Sequence, residues 1–147
     1  MLLPSFSGHT LVELVTVLLL LAVGASLLAP AARRLGDRAS VVAAREEVVR
    51  AIARARAEAV ARGGASATVL TTPPSVRIDA DGDVVRTVLL GGGAPGVEVR
   101  LTGRRDSLSF RFDRLGIGRF ASGSVTLRRG QASKGVVLSS YGRVRRR

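Results

Sequence analysis

The hydrophobic and polar positions divide the chain into three parts, and the first is a long apolar run. Residues 11–32 are apolar except for Glu13, Thr16 and Ser26. As a helix, this run would be about 33 Å long, against a hydrocarbon core of roughly 30 Å in a bilayer. A secretory signal peptide has a shorter apolar region of about 7–15 residues, preceded by positive charge. Residues 1–10 contain no Lys or Arg, so the pattern predicts a retained membrane helix.

Residues 37–62 form a second part, with an apolar stripe at helical spacing. Arg54, Glu58 and Arg62 lie off the stripe and form two i,i+4 pairs of opposite charge. Gly63-Gly64 is expected to end this helical part, and Pro30 is expected to kink or break the helix at the end of the preceding apolar run. The stripe consists of Val41, Val48, Ile52, Ala55 and Ala59.

After Gly64 the period changes to two, which is typical of half-buried strands. Asp81-Gly82 between two such segments predicts a β-hairpin. We therefore expect an α+β fold, in which the long N-terminal helix packs on an antiparallel β-sheet domain of residues 65–147. The predicted strands lie within 66–72, 75–80, 84–90, 97–102, 107–112, 124–129 and 134–146.

The composition argues against several kinds of chemistry. The chain has 147 residues, a formal net charge of +12, one His and no Cys. Without Cys there is no thiol nucleophile or thiolate ligand, and one His with no Cys makes a typical zinc site unexpected. His9 lies at the predicted membrane edge without partners for a catalytic triad. We predict neither an enzyme nor a cofactor.

The positive charge is concentrated toward the C-terminus, where no acidic residue follows Arg114. In the final GRVRRR, a strand would place Arg143 and Arg145 on one face and Val144 on the other. Two guanidinium groups on one face can bind phosphates. Two interpretations stay open: a solvated basic tail, or a DNA site that contacts phosphates, since few aromatics are present to stack on bases.

The segment GHTLVEL at residues 8–14 resembles the N-terminal motif of type IV prepilins and pseudopilins. The resemblance implies a leader of residues 1–8, cleavage after Gly8 by a prepilin peptidase, and N-methylation of the new terminus at His9. It also implies a transmembrane and assembly helix over residues 9–32, continued by residues 33–64. Further positions that match the family are Thr10, Leu11, Glu13 and Pro30.

The C-terminal stretch SFRFDRLGIGRFASGSVTLRRGQASKGVVLSSYGRVRRR resembles the GspH/FimT subfamily, with its closing Ser-x-x-Gly-Arg strand. This resemblance implies a minor pilin or pseudopilin subunit of a type II secretion or type IV pilus filament, with other pilins as partners. The alternative that it implies is a DNA-binding minor pilin for DNA uptake in natural transformation. The residues assigned to that DNA site are Gly142, Arg143, Arg145, Arg146 and Arg147.

The resemblance gives Glu13 a role in assembly. A carboxylate inside an apolar helix costs on the order of 2.5–3.5 kcal/mol even on insertion scales. After cleavage, the new terminal amine of the same or a neighbouring subunit could neutralise Glu13 and so fix the register of helices in a filament. The alternative is a carboxylate that is favoured at a helix N-terminus by the helix dipole alone.

The orientation in the membrane is predicted differently by charge and by resemblance. Arg33, Arg34 and Arg38 follow the apolar run, and positive charge favours the cytoplasmic side. The family instead implies a single-pass protein of the cytoplasmic, or inner, membrane with its C-terminal domain in the periplasm or another extracytoplasmic space. We follow the family.

Overall fold

The computed structural model of the chain describes residues 10–91, 96–119 and 122–147. The chain divides into two compact units, of which the first ends at Leu35 and the second begins at Gly36. The fold is α+β, as predicted, with one long N-terminal apolar helix and antiparallel strands.

The two predicted helical parts form one continuous helix, as expected for a long N-terminal helix with two halves. Helix α1 spans Leu11–Arg62 and contains Pro30 in its interior. Of the kink or break expected at Pro30, the break is therefore wrong, and the kink stays a prediction. A proline removes one hydrogen bond and crowds one turn, but this long helix has full turns on both sides that continue it. The end is as predicted, because Gly63 takes a φ of 85° directly after Arg62.

The apolar run in the first unit is not covered by protein. Eleven Leu and Val side chains between Leu11 and Leu28 are exposed. This part of α1 is long and apolar enough to cross a membrane. Its two hydroxyl side chains are satisfied within the helix, since Thr16 donates to the Val12 carbonyl at 2.8 Å and Ser26 to the Val23 carbonyl at 2.7 Å. Such internal bonds remove the need for water inside a bilayer.

The strands of the second unit form two antiparallel sheets instead of the single sheet expected. The strands are β1 Gly64–Leu70, β2 Ser75–Ala80, β3 Asp83–Leu89, β4 Glu98–Leu101, β5 Ser107–Asp113, β6 Gly118–Arg119, β7 Gly123–Arg129, β8 Ala132–Leu138 and β9 Val144–Arg146. The first sheet has the order β3-β2-β1-β5-β6 and the second the order β4-β7-β8-β9. The Asp81-Gly82 hairpin is confirmed, because it joins β2 to β3 with φ of 55° and 88° at its two residues.

A single hydrophobic core joins the second part of α1 to both sheets. The five residues of the predicted helical stripe are all buried, with relative exposures of 1% or less. Alanines at 44, 51, 55 and 59 leave little side chain between helix and strands, which allows close approach. The two predicted i,i+4 ion pairs of α1 are also confirmed. The Glu58 carboxylate lies 3.8 Å from Arg54 Nε and 3.1 Å from Arg62 Nε.

Two turns of the sheets meet beside Arg56 of α1. The Arg56 guanidinium donates to the Gly142 carbonyl and lies 5.5 Å from the centre of the Phe112 ring. A Cβ at Gly116 would lie 2.8 Å from Arg56 Cγ. A Cβ at Gly118 would lie 2.7 Å from the Gly142 nitrogen, which is closer than real Cβ atoms come. Gly118 and Gly142 therefore set the contact between β6 of one sheet and the β8–β9 turn of the other.

We predict that Gly118→Ala lowers the free energy of unfolding by about 1–3 kcal/mol, because the backbone of Gly142 must move to admit the methyl group. The measurement is urea denaturation of the full chain in detergent micelles, followed by circular dichroism. Gly36→Ala is the control, since nothing lies within 4 Å of a Cβ there, and alanine should stabilise the helix by about 0.5–1 kcal/mol. Equal destabilisation by both variants would contradict the close contact at Gly118.

Candidate functional site

The first described residues form the N-terminal cap of α1. The Thr10 carbonyl accepts a hydrogen bond from the Leu14 amide at 3.1 Å. The Thr10 hydroxyl oxygen accepts one from the Glu13 amide at 3.3 Å. Thr10 is thus the N-cap, and Glu13 occupies the third helical position, as in a capping box.

This cap gives Thr10 and Glu13 a local structural role beside the assembly role expected of them. Sequence reasoning missed the cap, although the Thr-x-x-Glu spacing was its signal. Leu11 is exposed at the start of the apolar run. The predicted cleavage site, Gly8 and His9, lies outside the described residues.

Among the C-terminal arginines, Arg146 differs from the others because its side chain forms an ion pair with α1. Its guanidinium donates from Nε and Nη2 to the two carboxylate oxygens of Glu46 on α1, each at 3.2 Å. These bonds from Arg146, and to a smaller extent those from Arg45, hold the pKa of Glu46 below its usual value. Since Val144 packs against the core on the same strand, Arg146 and Val144 together fasten β9 to the helix.

The backbone on both sides of β9 is also fixed. The Gly142 amide donates to the Ser139 carbonyl at 2.9 Å, and the Arg143 amide donates to the Ser139 hydroxyl at 3.1 Å. At the chain end, Arg147 and Gly135 exchange two backbone hydrogen bonds. Gly142 itself is buried with a φ of 80°, so its role here is to form this turn.

Three arginines remain available on the outside of this segment. Arg143, Arg145 and Arg147 are exposed, and their side chains form no hydrogen bond or ion pair with the described residues. Arg145 points away from the core, as the alternation with Val144 predicts. Arg143 differs from the expectation, because β9 begins only at Val144 and Arg143 belongs to the preceding turn. The structure therefore separates Arg146, which is paired, from three cations that could contact phosphates.

Sequence reasoning also missed Arg56, which organises the two turns behind this segment. Its position next to the buried Ala55 on α1 was the available signal, since a cation at the edge of an apolar stripe can reach backbone carbonyls. Among the described residues, no group of three or more acidic or histidine side chains is placed to hold a metal ion.

Comparisons with protein-family models, with curated proteins and with solved structures find no match.

The Arg146–Glu46 pair generates a prediction about pH. Because the pKa of Glu46 is lowered in the folded state, its stabilising effect is present at neutral pH and is lost as pH falls through that lowered value. We expect Glu46→Gln to lower the thermal unfolding midpoint of the full chain at pH 7. At a pH well below the ordinary carboxyl value of 4.5, variant and parent should unfold at nearly the same temperature.

The matched control is Glu98→Gln, since Arg100 likewise lowers the pKa of Glu98, but both residues lie on β4, away from β9. Hydrogen exchange of the C-terminal peptide at pH 7 should increase in Glu46→Gln and stay unchanged in Glu98→Gln. Unchanged exchange in both variants would show that the ion pair does not fasten β9.

Proposed function

We propose that this chain is a minor pilin or pseudopilin of the GspH/FimT type, a subunit of a type II secretion or type IV pilus filament. The observation that carries the proposal is the division of one helix between two environments. The part from Leu11 to Leu28 exposes its large apolar side chains, and the part from Val41 to Ala59 is built into the core of the sheet domain. In such a subunit the exposed apolar part would pack against other helices, and the second part would belong to a folded domain.

The start of α1 supports the same proposal. Thr10 and Glu13, which match the family motif, lie at the helix N-terminus, with Thr10 directly before the apolar run and Glu13 in its first turn. In a filament, the surroundings of Glu13 would become apolar, and a carboxylate there needs a compensating charge. The amine created at His9 by cleavage would supply that charge four residues upstream, in the same or a neighbouring subunit.

The proposal includes a processing enzyme, partners and a location. A prepilin peptidase would remove residues 1–8 and methylate His9, and other pilins or pseudopilins would pack against the apolar helix. Before assembly, membrane lipid would surround that helix in the cytoplasmic membrane. The sheet domain would lie on the extracytoplasmic side. The function is structural, in filament assembly or at the filament tip, without catalysis or a cofactor.

Processing is the most direct test. In cells that co-express a prepilin peptidase, mass spectrometry of the full-length product should show loss of residues 1–8 and one added methyl group. Glu13→Ala should be processed to the same extent, because it lies five residues beyond the cut, but its incorporation into filaments should fall. A chain that keeps Met1 in the presence of active peptidase, shown with a known prepilin in the same cells, would contradict the proposal.

DNA binding is the second candidate function, and the exposed cations Arg143, Arg145 and Arg147 favour it. Their side chains are not engaged by the described residues, and they lie on a segment whose backbone is fixed. Cations on a rigid edge lose little freedom when they contact phosphates. The paired Arg146 would contribute to the position of the strand rather than to the contact.

We predict that the full chain in detergent binds double-stranded DNA without sequence preference and that the affinity falls steeply with salt. Arg143→Ala with Arg145→Ala should reduce the slope of log affinity against log salt by about one unit per lost contact. The control is Arg86→Ala with Arg111→Ala, two exposed strand arginines that also have no side-chain partner among the described residues. If both double variants bind DNA equally weakly, the binding depends on net charge alone and not on a site at Arg143 and Arg145.

A further inference from the structure

A cavity in the second unit combines positive charge with an apolar surface. It has a volume of about 430 Å³ and lies between the beginning of the helical part of that unit and the β7–β8 hairpin. Arg38 and Lys134 line it with cations, Ser133 adds a hydroxyl group, and the exposed Val42 provides apolar surface. No acidic side chain is among its lining residues.

The hairpin that forms one wall is fastened to the helix. Arg129 Nε lies 3.0 Å from the Asp37 carboxylate, and Arg129 Nη1 donates to the Ser40 hydroxyl at 2.7 Å. The hairpin turn is close as well, since a Cβ at Gly130 would come within 2.5 Å of an Asp37 oxygen. The wall of the cavity is thus fastened to the helix by Arg129, and Gly130 allows the hairpin turn to approach Asp37 closely.

The charge of this cavity is not balanced within the described protein. The nearby carboxylate of Asp37 is paired with Arg129. Arg38 and Lys134 form no hydrogen bond or ion pair with any described residue. The groove between α1 and β3 differs, because it contains Glu47 and its Arg54 lies near Glu58. The cavity at Arg38 is therefore the better site for an anion.

Its place in the chain brings the cavity near a membrane surface. Arg38 follows Ala32, the last residue of the apolar run, by six residues. Six residues of chain reach at most about 20 Å in any conformation, and the lipid headgroups begin at the edge of the hydrocarbon core. Phosphates are present at both faces of a bilayer, so this reasoning holds for either orientation of the protein.

We propose that Arg38 and Lys134 bind the headgroup phosphate of an anionic phospholipid. A membrane phospholipid is favoured over free phosphate because the short stretch of chain between Ala32 and Arg38 keeps Arg38 within reach of the headgroup layer. The site depends on the membrane span but not on filament assembly. A failed lipid test would leave the pilin proposal standing, and failed processing would leave the lipid site standing.

The test uses the full chain in nanodiscs that contain equal amounts of phosphatidylglycerol and phosphatidylcholine. Native mass spectrometry should show that the protein retains phosphatidylglycerol in preference to phosphatidylcholine. Arg38→Gln with Lys134→Gln should reduce that preference by up to roughly 30-fold, the combined effect expected of two cations near an anionic surface. Arg86→Gln with Arg111→Gln removes equal charge elsewhere and should leave the preference unchanged.

Three results would overturn the site. An equal loss in both double variants would assign the preference to net charge. No preference in the parent protein would exclude a selective lipid site. In a further sample, inorganic phosphate replaces part of the sodium chloride so that the ionic strength stays constant. If the preference for phosphatidylglycerol is then lost, the ligand is free phosphate rather than a lipid. Circular dichroism of each variant verifies that the fold is retained.

Discussion

Helix α1 has apolar side chains in two parts, and only the second part is covered by the protein's own sheets. Fully burying a Leu or Val side chain is worth about 1.5–3 kcal/mol. The eleven such side chains between Leu11 and Leu28 are about half to four-fifths exposed, so covering them would be worth roughly 10–20 kcal/mol, comparable to the typical stability of about 5–15 kcal/mol of a whole domain. This exposed apolar surface is the reason for proposing that lipid or the helices of other subunits cover this part. From Val41 onward, the protein's own sheets cover the helix.

The sheet domain is closed by polar contacts around this helix. Arg56 joins the turns that contain Gly116 and Gly142, and Glu46 holds Arg146 of the last strand. Arg129 holds the β7–β8 hairpin through Asp37. Three of the cations that make the chain so basic thus fasten turns and strands of the sheets to α1. Several other cations have no side-chain partner among the described residues, and we assign external anions to two groups of them: Arg38 with Lys134, and Arg143 with Arg145 and Arg147.

The sequence predicts the elements better than their arrangement. The stripe from Val41 to Ala59, the Asp81-Gly82 hairpin and the helix end at Gly63 follow from local periodicity and turn chemistry, and all three are confirmed. The two-sheet arrangement could not be predicted, because β6 has only two residues and the pairing of β4 with β7 spans a long interval. At the basic segment, alternation correctly placed Val144 inside and Arg145 outside. The pairing of Arg146 with Glu46 could not be foreseen, since it joins residues 100 positions apart.

The central proposal has a direct test: the first part of α1 would lie in the membrane, and the sheet domain would lie on its extracytoplasmic side. The chain contains no Cys, so single cysteines can be placed at Leu18, in the apolar run, and at Ala57, on the exposed side of the second part of the helix. A membrane-impermeant maleimide is added to intact spheroplasts. The account predicts rapid labelling at position 57 and protection at position 18 until the membrane is dissolved. Labelling at position 18 as fast as at position 57 would contradict the membrane span, and protection at position 57 until lysis would contradict the orientation.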